Sequence, residues 1–294
     1  NQQTEQLSPL SSRPTYTETE NDLTVKANKR TFIFSKKDGQ LKGVSVDNRK
    51  ISFANGPRFI GARRADRSLD QFYNHDDEKA KEKDRTYSEF PDAAVFTKLD
   101  VKQDGGDLIV TANYKLGNLD KAQWTINPSG DLALDYTYNF SGVVDLMGIR
   151  FDYPEDQVIS KRWLGAGPYR VWQNRIHGTQ YDVWENDYND PIPGETFTYP
   201  EFKGYFGDVS WMNIQTKEGT ISLTNETPDA YIGVYQPRDG RDRLLYTLPE
   251  SGISVLNVIP PVRNKVNSTD LCGPSSQPKW VNGPQTGRVI FRFM

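Results

Sequence analysis

The sequence predicts an all-β fold, a large sandwich of two antiparallel sheets. Three observations carry that expectation. From Leu23 onward, short apolar stretches alternate with turn residues. Where a stretch is long enough to show a period, the period is two: Leu132, Leu134, Tyr136, Tyr138 and Phe140 fall on one face of a strand. No convincing amphipathic helix interrupts the series.

Taken in order, residues 1–21 are polar, contain Pro9 and Pro14, and read as a leader or interdomain linker. Residues 22–294 then form the β domain. Residues 31–35 and 41–46 flank Lys37, Asp38 and Gly39, a hairpin with a turn that tolerates left-handed backbone. The same grammar pairs 94–101 with 108–114 and 122–126 with 132–140. Further strands are expected at 219–224, 230–235, 253–259 and 288–293, the last paired inside a sheet. Segment 76–83 reads as a charged, solvated loop, and the Arg and Asp residues of 238–243 as a hairpin tip. So many strands exceed an immunoglobulin-sized sandwich.

Composition bounds the function. Only 35% of residues are apolar, yet 6 Trp, 15 Tyr and 14 Phe supply enough large rings for a folded core with an aromatic surface. A net charge of -3 with interspersed signs offers no basic field for a phosphate backbone, which argues against nucleic acid. No run of about 18 apolar residues is present, so no membrane-spanning helix is expected. Cys272 is the single cysteine, and His75 and His177 are the two histidines, which leaves no disulfide and no His-rich metal set.

The stretch 163–208 differs from the rest. Trp163, Tyr169, Trp172, Tyr181, Trp184, Tyr188, Phe197, Tyr199, Phe202, Tyr205 and Phe206 are set among glycines and prolines. Flat rings stack on the C–H faces of pyranoses while neighbouring polar groups bond the hydroxyls. Tyr169, Trp172, Arg175, His177, Trp184 and Glu201 are the carbohydrate-binding candidates on that reasoning. For any one ring, a place in the core is the competing reading.

Two other chemistries are open. An epimerase needs a base for the anomeric hydroxyl and an acid for the ring oxygen, which His177 with Glu185, Glu195 or Glu201 could supply; an ordinary loop histidine is the alternative. Asp187, Asn189 and Asp190 offer clustered oxygen ligands of the kind a structural Ca²⁺ takes, against the reading of a solvated loop. No other cofactor is expected.

The run Trp163, Leu164, Gly165, Ala166, Gly167, Pro168, Tyr169, followed by Trp172, Asn174 and Arg175, resembles the C-terminal domain of family 2 β-galactosidases. There a Gly-Pro turn precedes an aromatic and an Asp-Arg pair. Tyr199, Pro200, Glu201, Phe202, Lys203, Gly204, then Asp208, Val209 and Trp211 are similar to that domain's Pro-Gln-Glu-Asn-Gly stretch and following strand. Residues 32–46, then Gly56, Pro57, Arg58 and Arg63, Arg64, Ala65 and Asp66, are similar to its opening hairpin and Arg-Ala-Pro-Thr-Asp region, and 136–153 to the strands before the central block. The chain departs from the family at Arg170, Val171 and Trp172, and again at Phe202 and Lys203.

The resemblance implies a galactose-mutarotase-like supersandwich that sits against a catalytic (β/α)8 barrel and contributes to its sugar pocket. It places both catalytic carboxylates on that barrel, for which this chain has no alternating strand and helix pattern. The chain alone is therefore expected to be noncatalytic. In the family a C-terminal Trp can reach the active site; the matching loop here is 273–277, with Trp280 the nearest indole. A stand-alone carbohydrate-binding or aldose-1-epimerase-like protein is the alternative. A polysaccharide-processing parent suits a periplasmic or secreted location.

Overall fold

The computed structural model describes residues 12–64, 87–188, 190, 192–195, 202–235, 248–262 and 273–294. These residues contain no α-helix and build two large sheets, all of whose strand pairings are antiparallel. The predicted fold class is the observed one.

The first sheet runs in the order Thr15–Glu18, Asp22–Ala27, Arg30–Ser35, Leu41–Val46, Ala54–Arg64, Leu146–Asp152, Ile253–Val258, Tyr231–Val234, with Arg49–Ile51 and Tyr87–Glu89 as side branches. The second runs Gln180–Asp187, Val158–Gly167, Trp211–Thr216, Gly219–Asn225, Pro284–Phe293, Leu132–Asn139, Leu119–Ile126, Asp107–Lys115, Val95–Asp104. A small ribbon, Gly142–Val144 with Lys279–Val281, stands apart. The strand at 288–293 is paired on both sides, with Leu132–Asn139 and Gly219–Asn225, as its alternation predicts.

The sandwich begins earlier than expected. Residues 15–18, assigned to the leader by their polarity, pair with Asp22–Ala27 as an edge strand whose four side chains are all exposed. Such a strand is held by backbone bonds rather than burial, so it leaves no hydrophobic period.

Alternation places one face of each sheet in a common core. Phe53 stacks on Phe151 at 4.7 Å and meets Phe291 at 5.0 Å; Phe59 from the first sheet meets Tyr138 from the second at 5.4 Å. Glu218, on the tight turn between Trp211–Thr216 and Gly219–Asn225, latches the sheets together. Its carboxylate accepts from Ser52 Oγ at 2.6 Å, from Ser52 N at 2.8 Å and from the Tyr153 hydroxyl at 3.0 Å.

A second, smaller apolar cluster lies on the outer face of the first sheet. Ile60, Ala62, Leu146 and Leu256 alternate with main-core residues on their strands, and Val171, Trp172 and Tyr205 of the central block pack onto them. The block thus folds over the first sheet as a cover, which determines where its polar residues emerge.

Candidate functional site

The site is built by the segment that leaves Val158–Gly167. A Cβ at Gly167 would stand 2.4 Å from Trp184 Cδ1, so the glycine leaves the indole its seat; Trp184 Nε1 donates to Gln180 O at 3.2 Å. The next bond, Gly167–Pro168, is cis, as is Gly56–Pro57. Val171 pairs with Tyr205 through reciprocal backbone bonds of 2.7 and 2.8 Å. That approach requires Gly204, where a Cβ would lie 1.9 Å from Val171 O.

Arg170 turns inward and is 1% exposed. Its Nη1 donates to Tyr235 O at 3.1 Å, and the guanidinium lies 5.7 Å over the Phe206 ring. Lys161 is fully buried nearby, donating to Asp187 O at 3.2 Å and to Tyr188 O. Desolvation drives the Lys161 ammonium well below its ordinary value, with the Arg170 charge adding to the effect. It also lowers Arg170 to about 9. Lys161 thus ties Val158–Gly167 to the end of its neighbour Gln180–Asp187, and Arg170 reaches the end of Tyr231–Val234 in the first sheet.

The chain then reaches a clamped turn. Gln173 Nε2 donates to Ser275 O at 2.8 Å and Gln277 O at 2.7 Å, and its backbone N donates to Pro260 O at 3.1 Å. Asn174 Nδ2 donates to Val262 O at 2.9 Å, and Val262 N returns a bond to Asn174 Oδ1 at 2.8 Å. Beyond these roots Arg175, Ile176 and His177 are exposed. The Tyr169 hydroxyl closes the turn by donating to His177 O at 2.9 Å, over Gly178 at φ +94. Tyr169 in turn packs edge-on against Phe202 at 5.2 Å.

Three loops therefore converge: 168–178, 259–262 and 273–277. Just past the third, Trp280 is 72% exposed on its ribbon. The turn offers the Arg175 guanidinium and the His177 imidazole on a backbone tied down by the Gln173 and Asn174 amides, an arrangement able to donate hydrogen bonds to a ligand.

The family model for the β-galactosidase small chain matches residues 26–263. The chain belongs to that family. Galactose 1-epimerase from Lactobacillus acidophilus is similar in structure, with a TM-score of 0.51 at 10% identity over 97% of this chain and 99% of that one. An aldose epimerase homologue from C. elegans gives a TM-score of 0.44 at 7% identity over 93% and 98%. The epimerase likeness concerns the fold alone. No curated protein matches the chain.

In this small-chain domain the predicted site residues do not all come together. Tyr169, Arg175 and His177 share the clamped turn. Trp172 is 2% exposed, edge-on to Tyr205 at 5.7 Å, so the expectation of an exposed platform there is corrected: its ring has no free face. Trp184 is half-buried against Gly167. Glu201, His75 and Asn189 lie outside the described residues, as do 76–83 and 238–243.

Of the metal candidates, Asp187 is exposed and Asp190 Oδ1 accepts from Ile192 N at 3.0 Å. Among the described residues no group of three His, Cys, Asp or Glu is arranged to hold a metal. No described helix is long and apolar enough to cross a membrane.

Sequence reasoning missed the lysine and arginine buried at the sandwich edge. It also left Tyr181 unassigned, which is 58% exposed and whose hydroxyl bonds Ser210 Oγ at 2.6 Å. The departures from the family pattern fall on packing positions: Arg170 and Lys203 are buried, and Val171 and Phe202 hold the turn.

Proposed function

We propose that this chain is the noncatalytic, carbohydrate-facing domain of a larger family 2 glycoside hydrolase of β-galactosidase type. It buttresses a catalytic barrel and lends the rim formed by 175–178 and Trp280 to the sugar pocket. The observation that carries this reading is the pair of hydrogen bonds that Gln173 Nε2 donates to Ser275 O and Gln277 O, which ties the central block to the loop at 273–277. Energy spent on fixing the backbone beneath exposed Arg175 and His177 is useful where their positions matter to a ligand. A periplasmic or secreted site of action accords with a polysaccharide-processing parent.

The test is an activity comparison. The purified chain should not hydrolyse an aryl β-galactoside, whereas a β-galactosidase carrying this domain beside its barrel should. In that enzyme Trp280→Ala should raise KM more than it lowers kcat. Hydrolysis by the chain alone would sink the reading. Catalysed mutarotation in a polarimeter, lost in His177→Ala, would replace it with the epimerase assignment.

A further inference from the structure

The outer face of the second sheet carries an open pocket of about 360 Å³ lined by none of the loop-cluster residues. That lies within the range of about 300–1,000 Å³ usual for small-molecule sites. Strands Leu132–Asn139 and Pro284–Phe293 form its floor, where Asp135 faces Arg288 and Thr137 faces Thr286 across the ladder. Lys121, opposite Thr137 on the next strand, is one wall. Glu226 and Pro228, on the turn after Gly219–Asn225, are the other.

The walls are held in place. Arg288 bonds Asp135 through Nη1 and Glu226 Oε2 through Nε at 3.0 Å. Thr227 fastens the rim to the floor: its Oγ1 donates to Arg288 O at 3.0 Å and accepts from Arg288 N at 2.9 Å. Glu226 N donates to the same carbonyl at 3.0 Å. Carboxylates and guanidinium are thus fixed before any ligand arrives, which removes ordering cost.

We infer that this pocket binds a neutral, hydroxyl-rich ligand, a mono- or disaccharide, at a site separate from the loop cluster. The lining charges cancel, with Lys121 and Arg288 against Asp135 and Glu226. A phosphate would meet two carboxylates, and a polycation would meet two cations. A polyol meets neither penalty. Its hydroxyls can donate to the carboxylates, accept from the ammonium and guanidinium, and do both with Thr137 and Thr286. Pro228 and the threonine methyls supply apolar contact for ring C–H groups.

The experiment is an NMR titration of the chain with D-galactose and lactose, with glucuronate and glucosamine as charged controls. The neutral sugars should shift the amides of 135–137, 226–228 and 286–288. Glu226→Gln and Thr286→Val should each weaken that binding about tenfold, as loss of a hydrogen bond to a charged group or a hydroxyl does, with the unfolding midpoint retained. Absence of shifts at those amides, or unchanged binding in whichever of the two variants folds, would overturn the inference. Shifts confined to 175–178 and Trp280 would also overturn it, while leaving the loop-cluster reading intact.

Discussion

Asn174 and Val262 are joined by a reciprocal pair of hydrogen bonds, amide to carbonyl at 2.9 Å and backbone N–H to side-chain oxygen at 2.8 Å. This ring anchors the exposed turn at 175–178 on its N-terminal side. Asn174→Ala should cost about 1–3 kcal/mol, because both Val262 groups lose a partner in a half-buried setting. Hydrogen exchange at Arg175–His177 amides should rise with it. Unchanged exchange would show that the Tyr169 end alone fixes the turn.

Two tryptophans expected near sugar should behave oppositely. Trp172→Ala empties a site in the smaller core and should lower stability by about 3–5 kcal/mol. Trp280→Ala removes an exposed ring and should stay within about 0.5 kcal/mol. Denaturant unfolding of both variants decides it; equal costs would contradict the burial difference.

Gly204→Ala should damage the central block out of proportion to one methyl group. The new Cβ would sit 1.9 Å from Val171 O, a backbone atom that cannot swing aside. A loss of about 1–3 kcal/mol or more is expected, with a changed near-ultraviolet signal from Trp172. A native-like spectrum would mean the two segments separate without cost.

Lys161 makes stability depend on alkaline pH. Its folded value is lowered by burial, so between that value and about 10.4 the unfolded chain binds more protons than the folded one. Stability then rises with pH through that window, and the full penalty applies below it. Arg170, lowered for the same reason, acts in the same direction. Urea unfolding from neutral pH to about pH 9.5 should show the rise, and Lys161→Met should flatten it. An identical slope in the variant would rule out Lys161 as its source.

The legible parts of the fold were strands with one wet face and one dry face. Leu132–Asn139 announces itself because its inward positions enter the core while Asp135 and Thr137 stay outside. Gln180–Asp187 lacks that contrast, since nearly every side chain is exposed, and it read as loop. Within the block, ring identity was legible but ring direction was not. Trp172 faces the first sheet because Val171 pairs with Tyr205, a contact between segments far apart in sequence. Arg170 reads as a surface charge until Tyr235 and Phe206 are brought to it. The Asp135–Arg288–Glu226 pocket is illegible for the same reason: only the ladder makes neighbours of those residues.

Strand Pro284–Phe293 has a kinetic consequence. It lies between Leu132–Asn139 and Gly219–Asn225, so until it docks the second sheet is two unjoined pieces, each with a bare edge. Asp135 and Arg288 meet across 153 residues of chain, a loop whose closure is slow and whose waiting partners are exposed to wrong pairing. A nascent chain therefore carries two bare strand edges, open to wrong pairing, until residue 284 onward is free to dock between them.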